Sequence, residues 1–424
     1  MGLHTETANS FLLSIGMHPD LTDIREVQAA IESAMSDGLC RDDGGLMMLP
    51  SYIKIDPRPL RGRAVAIDAG GTRLRCALVD FDNGGQISGR REIPMPGTQG
   101  AVTKDEFFAQ VAGQILTLTR DCRNIGFCFS YPARILPNRD AVAGRLTKEV
   151  HIHGIEDSVL GDGLLAALRQ SGMTQKPRFA LVNDTVACLL GGLSRTMSQR
   201  FDGCAGLVCG TGLNACYYEL GENIPKLGSA EDMIINLEAG GFCGIAQGSA
   251  DPMLDATTNT PGSCILEKMV SGAYFAGVAG HTAALAAKAG LLTDIFLTAP
   301  ANFTARKLDE FVRRGGGSLG EISPSVEDEA VISLILDCLY ERGAKLICAL
   351  VAAIISKSGG GQTPEAPFLL STDGAMLYSS ASLMPKLSAW IDSYITGTMG
   401  RYVRVTGLPD QNLVGAAAAA LSGD

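Results

Sequence analysis

An aspartate, Asp184, and a turn of small residues, Gly210-Thr211-Gly212, are the groups in this sequence best suited to chemistry. The segment RFALVNDTVACLLGG begins at Arg178, and CAGLVCGTGLNACYYE begins at Cys204. The first reads as an apolar strand that ends in Asn183-Asp184-Thr185 and passes into a short helix. The second reads as an apolar strand that runs into the glycine turn. A carboxylate at a strand end beside such a turn suits phosphoryl transfer. The carboxylate can accept a hydroxyl proton, and the bare N–H groups of the turn can face phosphate oxygens. Asn-Asp-Thr ahead of an apolar run is also a good helix cap. Both roles are open to Asp184, and the nearby turn favours the catalytic one.

Other polar groups stand in comparable settings. Asp68-Ala69-Gly70-Gly71-Thr72 joins two apolar strands, Ala64–Ile67 and Leu74–Phe81. Its glycines would let the backbone approach a ligand closely. Asp68, at the strand end, could hold Mg2+ through water. The competing reading is a tight β-turn. The spacing matches neither a Walker A loop nor G-x-G-x-x-G, which disfavours P-loop and dinucleotide-binding folds. Asn214, just past the second turn, could offer its amide to a further ligand, although an ordinary hairpin would also explain the segment. Asn236-Leu237-Glu238 and Glu267-Lys268-Met269 set polar groups in apolar surroundings. Carboxylates accept and amides both donate and accept, so these could hold sugar hydroxyls; each could equally be a cap or a surface residue. His151 and His153 alternate along a strand, but with five histidines in the chain and no third ligand nearby, no metal site is expected there.

The elements that position these groups follow from pattern. Leu21, Ile24, Val27, Ile31 and Met35 fall at helical spacing within a mainly helical first segment. A strand is expected over Ile125–Ser130. Residues 330–357 read as one long helix or two abutting ones, stopped by Ser358-Gly359-Gly360-Gly361. A late strand, Phe368–Ser371, precedes Thr372-Asp373-Gly374, and a final helix, Leu413–Leu421, takes Asn412 as its N-cap. AVAIDAGGTRLRCALVDF and AGLVCGTGLNACYYEL echo one another as strand, glycine–threonine turn, strand. The echo suggests two similar α/β halves, each offering a glycine turn to a shared cleft.

Bulk properties narrow the function classes. The 424 residues leave room for about two or three domains, and 46% hydrophobic residues can fill their cores. A net charge of −10 argues against nucleic acid or an anionic membrane as the main partner. The start, MGLHTETANSFLLSIG, lacks a basic n-region and a long apolar h-region, so no signal peptide is expected. The longest apolar run, near Leu346–Ile355, is too short to span a bilayer. The twelve cysteines form no C-x-x-C pair and read as small core hydrophobes in a reducing compartment. These features point to a soluble cytoplasmic protein.

In order along the chain, from about residue 62 to the end, these segments resemble the hexokinase family of the actin-like ATPase superfamily. IDAGGTRLRCALV and GLVCGTGLNACYYE are similar to the two phosphate motifs of that family. GFCFSYP and Leu146-Thr147-Lys148 resemble its sugar-binding segments, and LVNDTVA the segment of its catalytic aspartate. INLEAGGF and ILEKMVSGAYFAGV resemble segments with sugar-binding glutamates, and ERGAKLICALVAAI a late buried helix.

The resemblance implies two actin-like (RNase H-like) α/β domains with a ligand cleft between them. Residues 62–183 plus 412–424 would form the small domain, and 1–61 plus 184–411 the large one. It implies an ATP-dependent hexokinase that uses Mg2+ and takes a hexose, glucose or mannose foremost. Asp184 would be catalytic. Ser130, Thr147, Lys148, Asn183, Asn214, Glu238 and Glu267 would surround the sugar. Asp68, Gly70, Gly71, Thr72, Arg75, Gly210, Thr211 and Gly212 would face the phosphates and Mg2+, with Asp68 on the metal. Gly374 and Asn412 would lie near adenosine. A catalytically silent sugar-binding regulator of the same fold is the alternative. Several positions depart from the family pattern: Arg73 in place of Asn, Ala239 of Trp, Cys264 of Gln and Ser371 of Gly. Gln411-Asn412-Leu413 stands where a glycine–serine–glycine turn is usual. These departures bear on sugar and nucleotide preference.

Overall fold

Small and β-branched residues around each glycine turn build two sheets of matching design. The computed structural model describes residues 2–422, apart from 57, 121, 147–149, 197, 198, 229 and 230. Thr147 and Lys148 therefore lie outside the described residues. The chain opens with α1 (Gly2–Ser14) and α2 (Ile24–Cys40). Asp23 starts α2 by accepting the N–H groups of Arg25 and Glu26. Ile24, Val27, Ile31 and Met35 then line one buried stripe. Leu21, expected on that stripe, is exposed, because a separate short turn at Pro19–Leu21 ends before the Asp23 cap.

After β1 (Leu49–Pro50) come β2 (Arg63–Ala69), β3 (Arg73–Asp80), β4 (Gln86–Pro94), α3 (Lys104–Ile115), β5 (Asn124–Phe129), α4 (Leu160–Gln170) and β6 (Arg178–Val182). Strands β2 to β6 form one sheet in the order β6-β5-β2-β3-β4. Then follow α5 (Asp184–Arg195), β7 (Gly203–Cys209), β8 (Leu213–Glu219), β9 (Met233–Asn236), α6 (Ile265–Val270), α7 (Phe275–Lys288), α8 (Val326–Ser358), β10 (Phe368–Asp373), β11 (Val403–Thr406) and α9 (Gln411–Leu421). The second sheet runs β11-β10-β7-β8-β9, with β1 added beyond β9. In each sheet an antiparallel meander is followed by two strands parallel to its first. The echo between the two sequence segments is thus a repeated structural unit.

Alternation along the strands divides the interior. Val65, Ile67, Phe127, Phe129 and Leu181 point to the face covered by α3 and α4. Ala64, Ala66, Cys128, Ala180 and Val182 point the other way, into a core shared with Cys204, Cys216 and Leu369 of the second sheet. Helices α5 and α9 fill the space between: α9 lies on β2, β5 and β6, α5 lies on β7, β8 and β10, and the two pack together. Their backbones come close. A Cβ on Gly415 would lie 1.7 Å from the Ala187 carbonyl oxygen, and one on Gly126 would lie 1.8 Å from that of Ala416.

Helix α8 is a single element. A reciprocal capping box between Ser325 and Asp328 starts it, and Gly359, in the left-handed region, stops it. Within it, Arg342 forms a buried pair with Asp251 at 2.6 Å. Among the described residues, no helix is long and apolar enough to cross a membrane.

The parallel strands set the site. Asp68 near the end of β2, Ser130 after β5 and Asn183-Asp184 after β6 fall at the same end of the first sheet. Gly210 after β7 and Asp373-Gly374 at the end of β10 do so in the second. Carboxyl ends of parallel strands are where open α/β sheets bind ligands. A direct check on the central layer is Gly415→Ala. The added methyl meets backbone that cannot swing aside, so a loss of about 2–3 kcal/mol and a clear drop in Tm are expected in thermal and denaturant unfolding. An unchanged Tm would contradict this packing.

Candidate active site

One hydrogen-bonded chain of side chains crosses from β6 to the second sheet. Asn183 caps α5, and its Oδ1 accepts the Thr185 N–H at 3.0 Å and the Thr185 hydroxyl at 2.8 Å. The same hydroxyl lies 3.4 Å from Asn236 Oδ1. Asn214 donates to Asn236 Oδ1 at 2.9 Å and to Glu238 Oε1 at 3.2 Å, and Asn236 donates to Glu238 Oε1 at 2.7 Å. The Ala239 N–H holds Asn214 Oδ1 at 3.1 Å, which fixes the way that amide faces. A small cavity of about 20 Å³ lies against this network, with Tyr131, Asn183, Asn236 and Glu238 in its wall.

Glu238 has left-handed backbone, φ 55°, which a non-glycine residue adopts only where its surroundings enforce it. Burial raises its pKa above the ordinary glutamate value. The Asn236 amide opposes the rise, and the charges of Asp184 and Glu267 add to it. Glu267, on α6, accepts the Leu213 N–H at 2.9 Å. Its carboxylate also explains a glycine in the second turn: a Cβ on Gly212 would lie 2.4 Å from Glu267 Oε2.

Asp184 is the first residue of α5, where the helix dipole favours an anion. Its charge helps to raise the pKa of Asp68 on one side and of Glu238 on the other. Asp184 is thus within electrostatic reach of both the first glycine turn and the asparagine–glutamate network.

Asp68 is buried beside that turn. Burial pushes its pKa up, while the Arg75 guanidinium, 2.5 Å away, pulls it down. Among the described residues, its second oxygen, Oδ1, has no hydrogen-bond partner. Among the described residues, no cluster of three or more His, Cys, Asp or Glu could hold a metal by itself. The orphaned oxygen fits a hydrated Mg2+, whose other ligands would be water and phosphate. Arg75, expected to face phosphates, is engaged by carboxylates: besides Asp68 it lies 3.8 Å from Asp410, which also takes Arg90 at 2.8 Å.

Both glycine turns have their carbonyls tied down. In the second, Gly272 donates to the Gly210 carbonyl at 2.8 Å and Ala273 to that of Thr211 at 3.1 Å. In the first, the Tyr131 hydroxyl donates to the carbonyls of Gly70 at 3.0 Å and Gly71 at 3.3 Å, and Met95 donates to that of Thr72 at 3.0 Å.

At the far end of the cleft, Gly374 has φ 118°, and a Cβ there would lie 2.2 Å from the Cys209 carbonyl oxygen. Only glycine lets β10 end against β7 in this way. Two of the departures noted in the sequence are partners: Gln411 donates to Ser371 Oγ at 2.7 Å, and Ser371 donates to the Cys188 carbonyl at 2.8 Å. Asn412 is not the N-cap of the last helix, as the sequence suggested. Asp410 is, with φ 56° and no side-chain capping bond, and the helix starts at Gln411. The reason is electrostatic. Arg75 and Arg90 take the Asp410 carboxylate, and Asp tolerates the left-handed region. Asn412 is buried in the first turn, and its Oδ1 has no partner among the described residues.

The structure therefore gathers Asn183, Asp184, Asn214, Glu238 and Glu267 on one side and Asp68, the first glycine turn and Arg75 on the other. Ser130 enters the cleft from the end of β5, its N–H bonded to the Ala69 carbonyl. Sequence reasoning did not select Thr185, Tyr131, Asp410 or Arg90, and it raised Asn236 only as one of several polar groups that could hold sugar or act as a cap. Asn236 carried a signal, as the one polar residue of a wholly buried strand. Tyr131 carried a weaker one, since a buried phenol needs a partner.

Two sequence patterns, each described as Hexokinase, match residues 15–193 and 204–422. The chain is 29% identical to hexokinase-3 of Rattus norvegicus over 385 residues, covering 83% of this chain and 40% of that protein. It thus spans well under half of that relative's length. It is 28% identical to the hexokinase-like 1 protein of Arabidopsis thaliana, covering 79% of this chain and 74% of that one. The solved hexokinase of Schistosoma mansoni, in complex with glucose, superimposes with a TM-score of 0.79 at 20% identity, over 98% of this chain and 99% of that one. The fold is the two-domain actin-like α/β architecture of sugar kinases, with a cleft between the domains. The chain belongs to the hexokinase family.

The crowding of charge gives a test. Because the folded pKa of Glu238 is raised, its neutral form suits the fold. That stability is present at low pH and is lost as pH rises through the folded value. Glu238→Gln is neutral throughout. Its Tm advantage over the unaltered chain should grow as pH rises above about 4. A flat Tm difference would contradict the crowding.

Proposed function

We propose that this chain is a sugar kinase that moves the γ-phosphoryl group of ATP to the primary hydroxyl of a hexose, glucose or mannose foremost. The observation that carries the reading is the position of Asp184, at a helix N-terminus and within electrostatic reach of Asp68 and Glu238. In the proposed reaction, Asn183, Asn214, Glu238 and Glu267, with Ser130, Thr147 and Lys148, hold the sugar hydroxyls. Asp184 accepts the proton of the attacking hydroxyl. A new oxygen–phosphorus bond forms, the bond from the γ-phosphorus to the bridging oxygen breaks, and ADP carries that oxygen away. Such a transfer depends more on positioning and charge neutralisation than on a strong base. Mg2+, held through Asp68 and water, would neutralise phosphate charge. Gly70, Gly71, Thr72, Gly210, Thr211 and Gly212 offer N–H groups to the phosphates, and Gly374 and Asn412 border the nucleoside end.

The same reading assigns residues 62–183 with 412–424 to one lobe and 1–61 with 184–411 to the other. Sugar would draw the lobes together and keep water from serving as acceptor. A cytoplasmic location is part of the proposal, supported by cysteines that are all unpaired. One observation favours a second reading, a sugar-binding regulator without turnover. Gln411 and Ser371 place side chains where the family usually has glycine, and Asp410 sets a carboxylate beside them.

Asp184→Ala separates these readings. For a kinase, turnover should fall by about 10²–10⁴-fold while hexose affinity changes little. Near-normal turnover in the variant would refute the base role. Absence of turnover in the unaltered chain, with hexose binding intact, would favour the regulator.

A further inference from the structure

A tyrosine at the Gly374 end of the cleft is fixed in place and yet half open. A short helical turn, Ala375–Tyr378, follows Gly374 directly. It abuts the second glycine turn: a Cβ on Gly210 would lie 3.5 Å from the Ala375 nitrogen. Leu377 is fully buried and pins this turn, whereas Tyr378 beside it is 49% exposed. The Tyr378 hydroxyl is nonetheless enclosed. Thr372 donates its hydroxyl to the Thr406 carbonyl at 3.1 Å, so the phenol is the donor in its own bond to Thr372. The same hydroxyl rests on the backbone of Gly407, where an added Cβ would lie 1.6 Å from it. The side chain is thus held at its tip, between the ends of β10 and β11. An aromatic ring fixed in this way keeps apolar surface in water, a cost that a planar ligand laid on it would remove.

The polar side chains of the neighbouring turn are engaged within the fold. Gln411 uses both ends of its amide: the nitrogen on Ser371 and the Cys188 carbonyl, the oxygen on the Leu408 N–H at 3.0 Å. The Asp410 carboxylate is held by Arg75 and Arg90. The Pro409 carbonyl accepts Arg195 at 2.7 Å. Gln411 is therefore not left to read the edge of a base. What this end offers a nucleobase is a face. Stacking accepts any base, and its strength rather than a hydrogen-bond pattern sets the preference.

We propose that Tyr378 is the platform on which the nucleobase of the phosphoryl donor stacks, and that this chain takes purine nucleoside triphosphates, ATP and GTP alike. The proposal deepens the kinase reading above and rests on it. Tyr378 is a specificity-determining residue: it distinguishes a purine from a pyrimidine by the area stacked, and does not distinguish one purine from the other.

Tyr378→Leu removes the ring, and Tyr378→Phe keeps it without the hydroxyl. The test is the set of dissociation constants for Mg·ADP, Mg·GDP, Mg·UDP and inorganic tripolyphosphate, measured by calorimetry on the unaltered chain and both variants, with glucose affinity alongside. In the unaltered chain ADP and GDP should bind within about threefold of one another, and each about fivefold tighter than UDP. In the Leu variant ADP and GDP should weaken about tenfold, while tripolyphosphate and glucose hold their affinities. The Phe variant should stay within about threefold of the unaltered chain. ADP binding that the Leu change leaves intact, or weakens no more than tripolyphosphate binding, overturns the platform role. A Phe variant as weak as the Leu one, or a loss of glucose affinity, also overturns it, because the residue then serves the fold. A preference for ADP over GDP beyond about tenfold overturns selection by stacking and leaves the kinase reading standing. Failure of the unaltered chain to bind any of the nucleotides or tripolyphosphate overturns the kinase reading itself.

Discussion

Four carboxylates share one cleft, and keeping them charged there is the constraint that the rest of the structure serves. Burial raises the pKa of Asp68 and of Glu238, and neighbouring charge adds to it, from Asp184 on Asp68 and from Asp184 and Glu267 on Glu238. Each is offset by a different device. Asp68 has the Arg75 guanidinium, Glu238 has two asparagine amides, and Glu267 has the Leu213 N–H. Asp184 has the N-terminal end of α5. Most of these devices sit at a strand end, a turn or a helix start, where the fold leaves polar groups pointing into the cleft. A site with this much negative charge suits neutral, hydroxyl-rich ligands, which can donate to each carboxylate. It would receive phosphates only where N–H groups and a cation outweigh the repulsion.

The central helices connect that constraint to the core. Helix α5 begins with Asp184 in the cleft, and its buried stretch from Thr185 to Gly192 lies between the sheets, packed against α9. A Cβ on Gly191 would lie 2.2 Å from the Gln411 carbonyl oxygen, so the crossing admits little sliding. The side chain of Gln411 then bonds Ser371 and the Cys188 carbonyl, which ties α9, β10 and α5 at one point. The departures from the family pattern at this end are therefore mutually consistent. A serine and a glutamine replace glycines by bonding each other in the buried crossing.

The fold and the main site groups were readable because they rest on local patterns. Apolar runs broken by Gly70-Gly71 and by Gly210-Thr211-Gly212 signal strand and turn directly, and their resemblance in sequence matches two sheets with the same strand order. Asp184 was readable because a strand, a carboxylate and a capping pattern lie within a few residues of one another. What could not be read depends on contacts distant in sequence. Asp410 displaces Asn412 from the cap because Arg75 and Arg90 arrive from another sheet. Asn236 gains its place from Asn214 and Thr185, and Tyr131 from the turn after β2, each on a different strand or helix. Leu21 fitted the helical period but lies in a separate turn, since periodicity does not register a Pro19 turn and an Asp23 cap.

The central claim is that one carboxylate serves a polyol and a terminal phosphate at the same time. It is tested most directly by ADP release from Mg·ATP, followed with a panel of hexoses and without sugar. The account predicts rapid release only when a hexose is present, glucose or mannose foremost, with one sugar phosphate formed per ADP. Release at the same rate without sugar, or no release with any hexose, would contradict it.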